Sequence, residues 1–135
     1  MLYLRVLAPD QNILDEQVNE VILPSTTGQL GILPNHVSLL AAIDIGVIRV
    51  RQGEIWTSIV ALGGFAEVEA NEVTVLVNAA ELGSNVDPVL AEKELEIATT
   101  DVQKFEGLPN SAEKVKAQQA LLRARARLQA TKKDN

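Results

Sequence analysis

Apolar positions alternate from the start of the chain: Leu2, Leu4 and Val6 alternate with Tyr3, Arg5 and Leu7, the period-two pattern of a half-buried strand. Residues 18–23, apolar except at Asn19 and Glu20, read as a short strand that Pro24 is expected to stop. Ile43, Ile45 and Val47 alternate, then the pattern slips, leaving Ile48 and Val50 apolar beside Arg49 and Arg51. A one-residue slip sends later side chains to the opposite face, which predicts a bulge or bend near residues 46–48. Residues 51–54 read as a turn and residues 55–62 as the next strand, broken at Gly63-Gly64 and resumed over 65–68. Ala70-Asn71 marks a further turn, after which Val73, Val75 and Val77 line one face of a last clear strand. Short strands joined by tight turns predict an antiparallel sandwich or barrel.

At Asp87-Pro88 the pattern changes to helix. Asp is a favoured N-cap and Pro is favoured at the first helical position. Leu95, Ala98, Val102 and Phe105 recur at helical spacing on one face, and Gly107-Leu-Pro-Asn stops the helix. Asn110, with Glu113 three residues on, predicts a capping box for a second helix, along which Ala117, Leu121, Ala124 and Leu128 repeat. The fold class is therefore α+β, an N-terminal antiparallel β-sandwich over residues 1–85 and a C-terminal antiparallel two-helix hairpin over residues 86–135. The seam of the hairpin is narrow and alanine-rich, and a buried methyl contributes far less than a Leu or Phe side chain. It is expected to be weak enough to open, with docking of the tail on the sandwich conditional.

Composition adds a partner signal. The 135-residue chain carries a net charge of −6, but residues 1–87 set three arginines against eleven acids, whereas from Ala112 onward seven bases face two acids. Such asymmetry along a chain points to a partner, set against the plainer reading of a solvated helix face. Without cysteine there are no disulfides and no thiolate metal ligands. The first residues lack the basic region and long apolar run of a secretion signal, and no window approaches the ~18 apolar residues of a membrane span. Direct membrane insertion is not expected; if the protein works at a membrane, another subunit holds it there.

Catalytic chemistry finds little support. His36 is the one histidine, so Cys–His pairs and multi-histidine metal sites are excluded. No G-x-S-x-G elbow accompanies it, and His36 is read as a turn histidine bonded to backbone or to a partner. Glu67 and Glu69 lie two apart on a strand and read as a solvated face. Gly28-x-x-Gly31 lacks the Lys-Ser/Thr of a phosphate loop. Along the second helix, Arg123 and Arg127 share a face with Lys116, while Arg125 flanks the Leu121 stripe. The acidic chain and the absence of aromatics beside these arginines disfavour nucleic acid. An acidic protein partner fits better.

The stretch Gly28-Gln-Leu-Gly-Ile-Leu-Pro-Asn-His36, with Leu62-Gly-Gly-Phe-Ala66 and Thr74-Val-Leu76, resembles the epsilon subunit of F-type ATP synthases. So does the order of a β module followed by a helix pair, and the likeness runs across essentially the whole chain. Asp44-Ile-Gly-Val-Ile-Arg-Val-Arg51 and Gly83-Ser-x-x-Asp-Pro88 look like the cyanobacterial and chloroplast branch. The resemblance implies a noncatalytic rotor subunit without a cofactor, peripheral on the cytoplasmic or stromal face of the thylakoid membrane. In that family a ten-stranded β-sandwich binds the gamma subunit and rests on the polar loops of the c-ring. The hairpin folds on the sandwich or extends to the alpha and beta catalytic subunits, where it inhibits ATP hydrolysis. By position, Gln29 lies in the turn placed near the c-ring loops and His36 on the side facing gamma. Lys116, Arg123 and Arg127 would meet an acidic surface of the catalytic subunits.

Some members of that family also bind ATP through an acidic residue followed by Ile/Leu-Asp-x-x-Arg-Ala. Here Glu81, Asp87 and Ala91 match, but Leu90 stands at the arginine position. Leucine offers phosphate neither charge nor a hydrogen bond, and Pro88 removes a backbone donor, so ATP binding is expected to be weak or absent. The alternative to the rotor reading is a free-standing β-sandwich binding module whose basic tail recognises acidic proteins.

Overall fold

The computed structural model describes residues 1–132, so the last three residues of the 86–135 segment lie outside the described residues. Eight strands, β1 (Leu2–Ala8), β2 (Gln11–Val18), β3 (Glu20–Ser25), β4 (Gly28–Ile32), β5 (Leu39–Gln52), β6 (Ile55–Glu69), β7 (Glu72–Val77) and β8 (Ala80–Leu82), precede a single 3-10 turn, Gly83–Asn85. Two helices follow, α1 (Pro88–Gln103) and α2 (Ala112–Ala130). The strands join in the order β2-β1-β7-β6-β5-β3-β4, with β8 on β6. Leu2, Leu4, Val6, Val73 and Val75 are fully buried together with Val21, Leu23, Ile32, Ile48 and Ile59 in one core. The α+β class holds: a β-sandwich followed by a helical pair.

The 14-residue β5 and 15-residue β6 shape the module. Before the middle of β6, Ile59 and Ala61 point into the core; after it, Ala66 and Val68 do. The change of parity falls at Gly63 and Gly64, whose φ values of 81° and 154° lie where side chains are rarely tolerated. These glycines bend the strand rather than break it as expected, because β5 pairs with β6 on both sides of them without losing register. A Cβ on Gly64 would stand 2.0 Å from the Leu76 carbonyl oxygen. On β5 the parity likewise changes between Ile43 and Ile48, and the β3–β5 register shifts between Ile22 and Ser25. The predicted slip is thus real. Because each long strand runs uninterrupted through its bend, the described sandwich has eight strands, not ten.

Other expectations change. Pro24 does not stop its strand; it sits inside β3 opposite Gln29, where the ladder to β5 is interrupted and no N–H is needed. Its ring occupies the space of a Cβ on Gly46, 2.7 Å away. The sheet is not wholly antiparallel, since β1 and β7 run parallel in register from Tyr3–Glu72 to Leu7–Leu76. The N-cap of α1 is Asp87, whose Oδ1 accepts from the Val89 and Leu90 amides at 2.9 and 3.3 Å. The cap of α2 is Ser111, which accepts from Lys114 N at 3.1 Å; Asn110 is not the cap. At the β6–β7 turn, Ala70 and Asn71 both have positive φ, 51° and 65°, the two-residue turn whose twist matches a hairpin.

The glycines separate into two kinds. Gly64→Ala should destabilise the protein by about 3 kcal/mol or more, combining overpacking with a strained φ. Gly31→Ala meets open space at an ordinary φ and should change stability by no more than about 0.5 kcal/mol. Urea denaturation of the two variants against the parent measures both.

Candidate functional site: the seat of the helices and an apolar docking face

Where the β5 bend turns Ile48 inward, Val47 is left on the opposite face, in register with Val60 of β6. The two valines form a second buried cluster with Val86, Ala91, Ala126 and Ala130, flanked by Leu62 and Leu128. The hairpin is therefore seated on the sandwich, with α2 lying on the bent pair. Ala117, Leu121, Ala124 and Leu128 are partly or fully buried, as their spacing implied. Ala126 and Ala130 belong to an additional face that the stripe does not include. Gly83 permits a close approach: a Cβ there would meet the Ala130 carbonyl oxygen at 2.4 Å.

One guanidinium ties three elements together. Arg127 Nε donates to Glu81 Oε1 of β8 at 2.6 Å, and Nη1 donates to Glu94 Oε2 of α1 at 2.5 Å. The charge-assisted bond to Glu94, joined by that to Glu81, holds the guanidinium pKa above its ordinary value, against partial desolvation. Arg123 and Arg127 line the same 310 Å³ cleft with Val60, Leu62, Ala79, Ala80 and Glu81. Lys116 is elsewhere, beside Asn110, Ser111 and Gln119 near the start of α2. The structure thus brings two of the three basic candidates together. Of the ATP-motif positions, Asp87 spends a carboxylate oxygen on helix capping, Leu90 is exposed, Ala91 is fully buried and Glu81 faces Arg127.

The docking candidates lie away from the hairpin seat. Gln29 is exposed, but it sits on the edge strand β4 opposite Pro24 rather than in the turn before it. His36 lies in the loop between β4 and β5, its Nδ1 2.7 Å from the Val37 carbonyl oxygen. Leu33, Val37 and Leu40, in and after this loop, are 52%, 74% and 69% exposed. A register row, Ala42–Phe65–Leu76–Leu7, crosses four strands on the outer face, with Phe65 and Leu76 more than half exposed. Single exposed apolar residues are ordinary, but a row across paired strands is a candidate interaction surface. Spacing alone did not show it, because the partners across strands are distant in sequence. Glu67 and Glu69 are exposed, and among the described residues no group of His, Cys, Asp or Glu could hold a metal ion. No helix among them is long and apolar enough to cross a membrane.

Fold and surface define a β-sandwich protein carrying a C-terminal helical hairpin. Residues 1–83 match the beta-sandwich domain of the ATP synthase delta/epsilon chain. The chain is 66% identical over 131 residues to the ATP synthase epsilon chain of Synechococcus sp. WH7803, covering 97% of this chain and 96% of that one. It is 62% identical to the epsilon chain of Prochlorococcus marinus MIT 9303, covering 97% and 98%. The chain belongs to the ATP synthase epsilon-chain family. Its fold is shared with a chain in the Euglena gracilis mitochondrial ATP synthase OSCP/F1/c-ring structure, with TM-score 0.82 and 24% identity over 97% of this chain and 81% of that one. A chain of the Tetrahymena thermophila mitochondrial ATP synthase central stalk and c-ring aligns with TM-score 0.63 and 17% identity, covering 97% and 96%.

The seat makes two substitutions informative. Arg127→Gln removes two partly exposed ion pairs, each worth about 1 kcal/mol or less, and Gly83→Ala pushes on the Ala130 carbonyl. Both should lower amide-exchange protection along α2, by about fivefold for Arg127→Gln, while protection in β1 and β7 stays at the parent level. Hydrogen exchange read by mass spectrometry distinguishes this local release from global loss of stability.

Proposed function

We propose that the chain is a noncatalytic central-stalk subunit of a proton-translocating F-type ATP synthase. It couples the c-ring and gamma subunit to ATP synthesis and restrains ATP hydrolysis through its C-terminal helices. The sandwich, residues 1–85, is the dock and residues 86–135 are the regulatory arm. The observation that carries the docking half is the exposed row at Phe65 and Leu76, continued toward the loop by Leu40 and Val37. Burying such residues on gamma removes apolar area from water at about 25 cal/mol per Å². His36 falls beside that surface, and Gln29 on the β4 edge is assigned to the polar loops of the c-ring. A peripheral place at the thylakoid membrane, on its cytoplasmic or stromal face, is part of this reading and is supported by the cyanobacterial relatives.

The regulatory half rests on Arg127. In the seated hairpin its guanidinium serves Glu81 and Glu94, so an acidic surface on an alpha or beta subunit has to compete with those two carboxylates for it. In this reading the arginine exchanges partners on inhibition, with Arg123 and Lys116 available for the same surface. Rigid packing suits the sandwich to transmit torque, and a seam of small side chains suits the hairpin to two states. ATP is a poor candidate for controlling the exchange, because Leu90 cannot bind phosphate and Asp87 is committed to its cap.

Titrating an epsilon-free catalytic sector tests both halves. The full chain should inhibit ATP hydrolysis, and a chain ending at Asn85 should bind without inhibiting. Phe65→Ser with Leu76→Ser should weaken binding at least tenfold. Equal inhibition by the full and shortened chains would move the brake into the sandwich, and no binding by either would remove the subunit assignment. Millimolar ATP should leave α2 amide exchange unchanged; protection of α2 by ATP would restore a nucleotide-controlled hairpin.

A further inference from the structure

The six residues 33–38 between β4 and β5 form no ladder bonds. Within this loop, His36 N donates to the Leu33 carbonyl at 3.2 Å, which closes a turn but anchors it to nothing else. The anchor comes from 36 residues away. Asn35 N donates to the side-chain oxygen of Asn71 at 2.6 Å, and Asn71 Nδ2 faces Asn35 Oδ1 at 3.4 Å. Asn71 also accepts the Tyr3 amide on its backbone oxygen at 2.8 Å, so it is fixed to β1 as well. Both asparagines hold left-handed φ angles, 67° at Asn35 and 65° at Asn71, a conformation Asn adopts more readily than most side chains do.

We propose that Asn71 is a positioning residue for docking: its side chain clamps Asn35 and so presents Leu33, His36 and Val37 to the gamma subunit in one conformation. The inference rests on the reading of this loop as part of the docking surface. Leu33 and Val37 remain exposed in this loop, so their apolar area is left for a partner. Ordering it in advance lowers the entropic cost of association. The turn itself does not need an asparagine at this place, because Gly is the favoured second residue of a turn with both central φ values positive. The amide of Asn71 therefore serves the loop, not the hairpin.

That division sets the test. Asn71→Gly keeps or improves the turn and removes the clamp; Asn71→Asp keeps an oxygen to accept the Asn35 amide. Full-length variants are measured for thermal stability, for amide exchange at residues 35 and 36 in the free protein, and for affinity toward the epsilon-free catalytic sector. Asn71→Gly should leave the melting temperature unchanged or higher, lose protection at residue 35, and weaken binding about fivefold, the fold-change of roughly one hydrogen bond. Asn71→Asp should bind within about twofold of the parent. Unchanged affinity for Asn71→Gly overturns the proposal, as does a loss that follows a fall in melting temperature. Val37→Ser separates the two levels of the argument. If Val37→Ser weakens binding and Asn71→Gly does not, the clamp fails alone; if Val37→Ser binds normally, the loop is not a contact and its place in the docking surface fails with the clamp, while Phe65→Ser with Leu76→Ser still tests the rest of that surface.

Discussion

The shared bend of β5 and β6 is the constraint on which the rest of the molecule depends. A strand of ordinary length has one buried face. These two are long enough to change faces midway, at Gly63-Gly64 on one and between Ile43 and Ile48 on the other. The change turns Ile48 and Ile59 into the main core and leaves Val47 and Val60 on the outside as a paired apolar step. A sandwich alone would expose that step to water. The helices cover it, so the seat of the hairpin is a consequence of how the strands bend rather than a separate feature. Pro24 and Gly46 belong to the same device: the ring packs where a Cβ would stand, in the stretch where β3 and β5 lose register.

Magnitudes explain why the seat holds without being permanent. Three of the six buried residues in the second cluster are alanines, each presenting a single methyl group of about 0.8 kcal/mol. The two bonds of Arg127 are short, yet Arg127 retains 24% side-chain exposure and Glu94 46%. Water and salt therefore screen them, and each pair adds about 1 kcal/mol or less. Against the main core of fully buried Leu, Ile and Val, this is a minor share of the chain's stability. The proposed regulatory role requires the hairpin to leave while the sandwich remains folded, and these magnitudes are consistent with that requirement.

How much of this was legible depended on contrast between neighbouring residues. Leu2-Leu4-Val6 and Val73-Val75-Val77 alternate cleanly because one face is core, and the slip at residues 43–48 announced the bend for the same reason. The edge strand β2 stayed hidden, since Gln11, Asn12, Asp15, Glu16 and Gln17 leave little apolar alternation to read. The parallel β1–β7 pairing joins strands some seventy residues apart, and no local pattern encodes it. Ser111 and Asn110 are both good caps, and backbone geometry chose between them. Ala126 and Ala130 were missed because alanine carries weak hydrophobic contrast on either face of a helix. The candidate docking positions Gln29 and His36 came from likeness to a family, whereas Phe65–Leu76 and Asn35–Asn71 needed the register of strands. Asp87-Pro88, by contrast, announced its helix in two residues.

Seated and released hairpins are the centre of the account, and distance across the seat reports them directly. The chain has no cysteine, so labels placed at Glu54→Cys and Gln129→Cys are unique; both sites are exposed, and their neighbours line one cleft between the β5–β6 turn and the end of α2. The interlabel distance should be short and narrowly distributed in the free protein and should lengthen in the hydrolysis-inhibited complex. A distance that stays short while hydrolysis is fully inhibited would contradict release of the hairpin, and would place the inhibitory contact on the seated form.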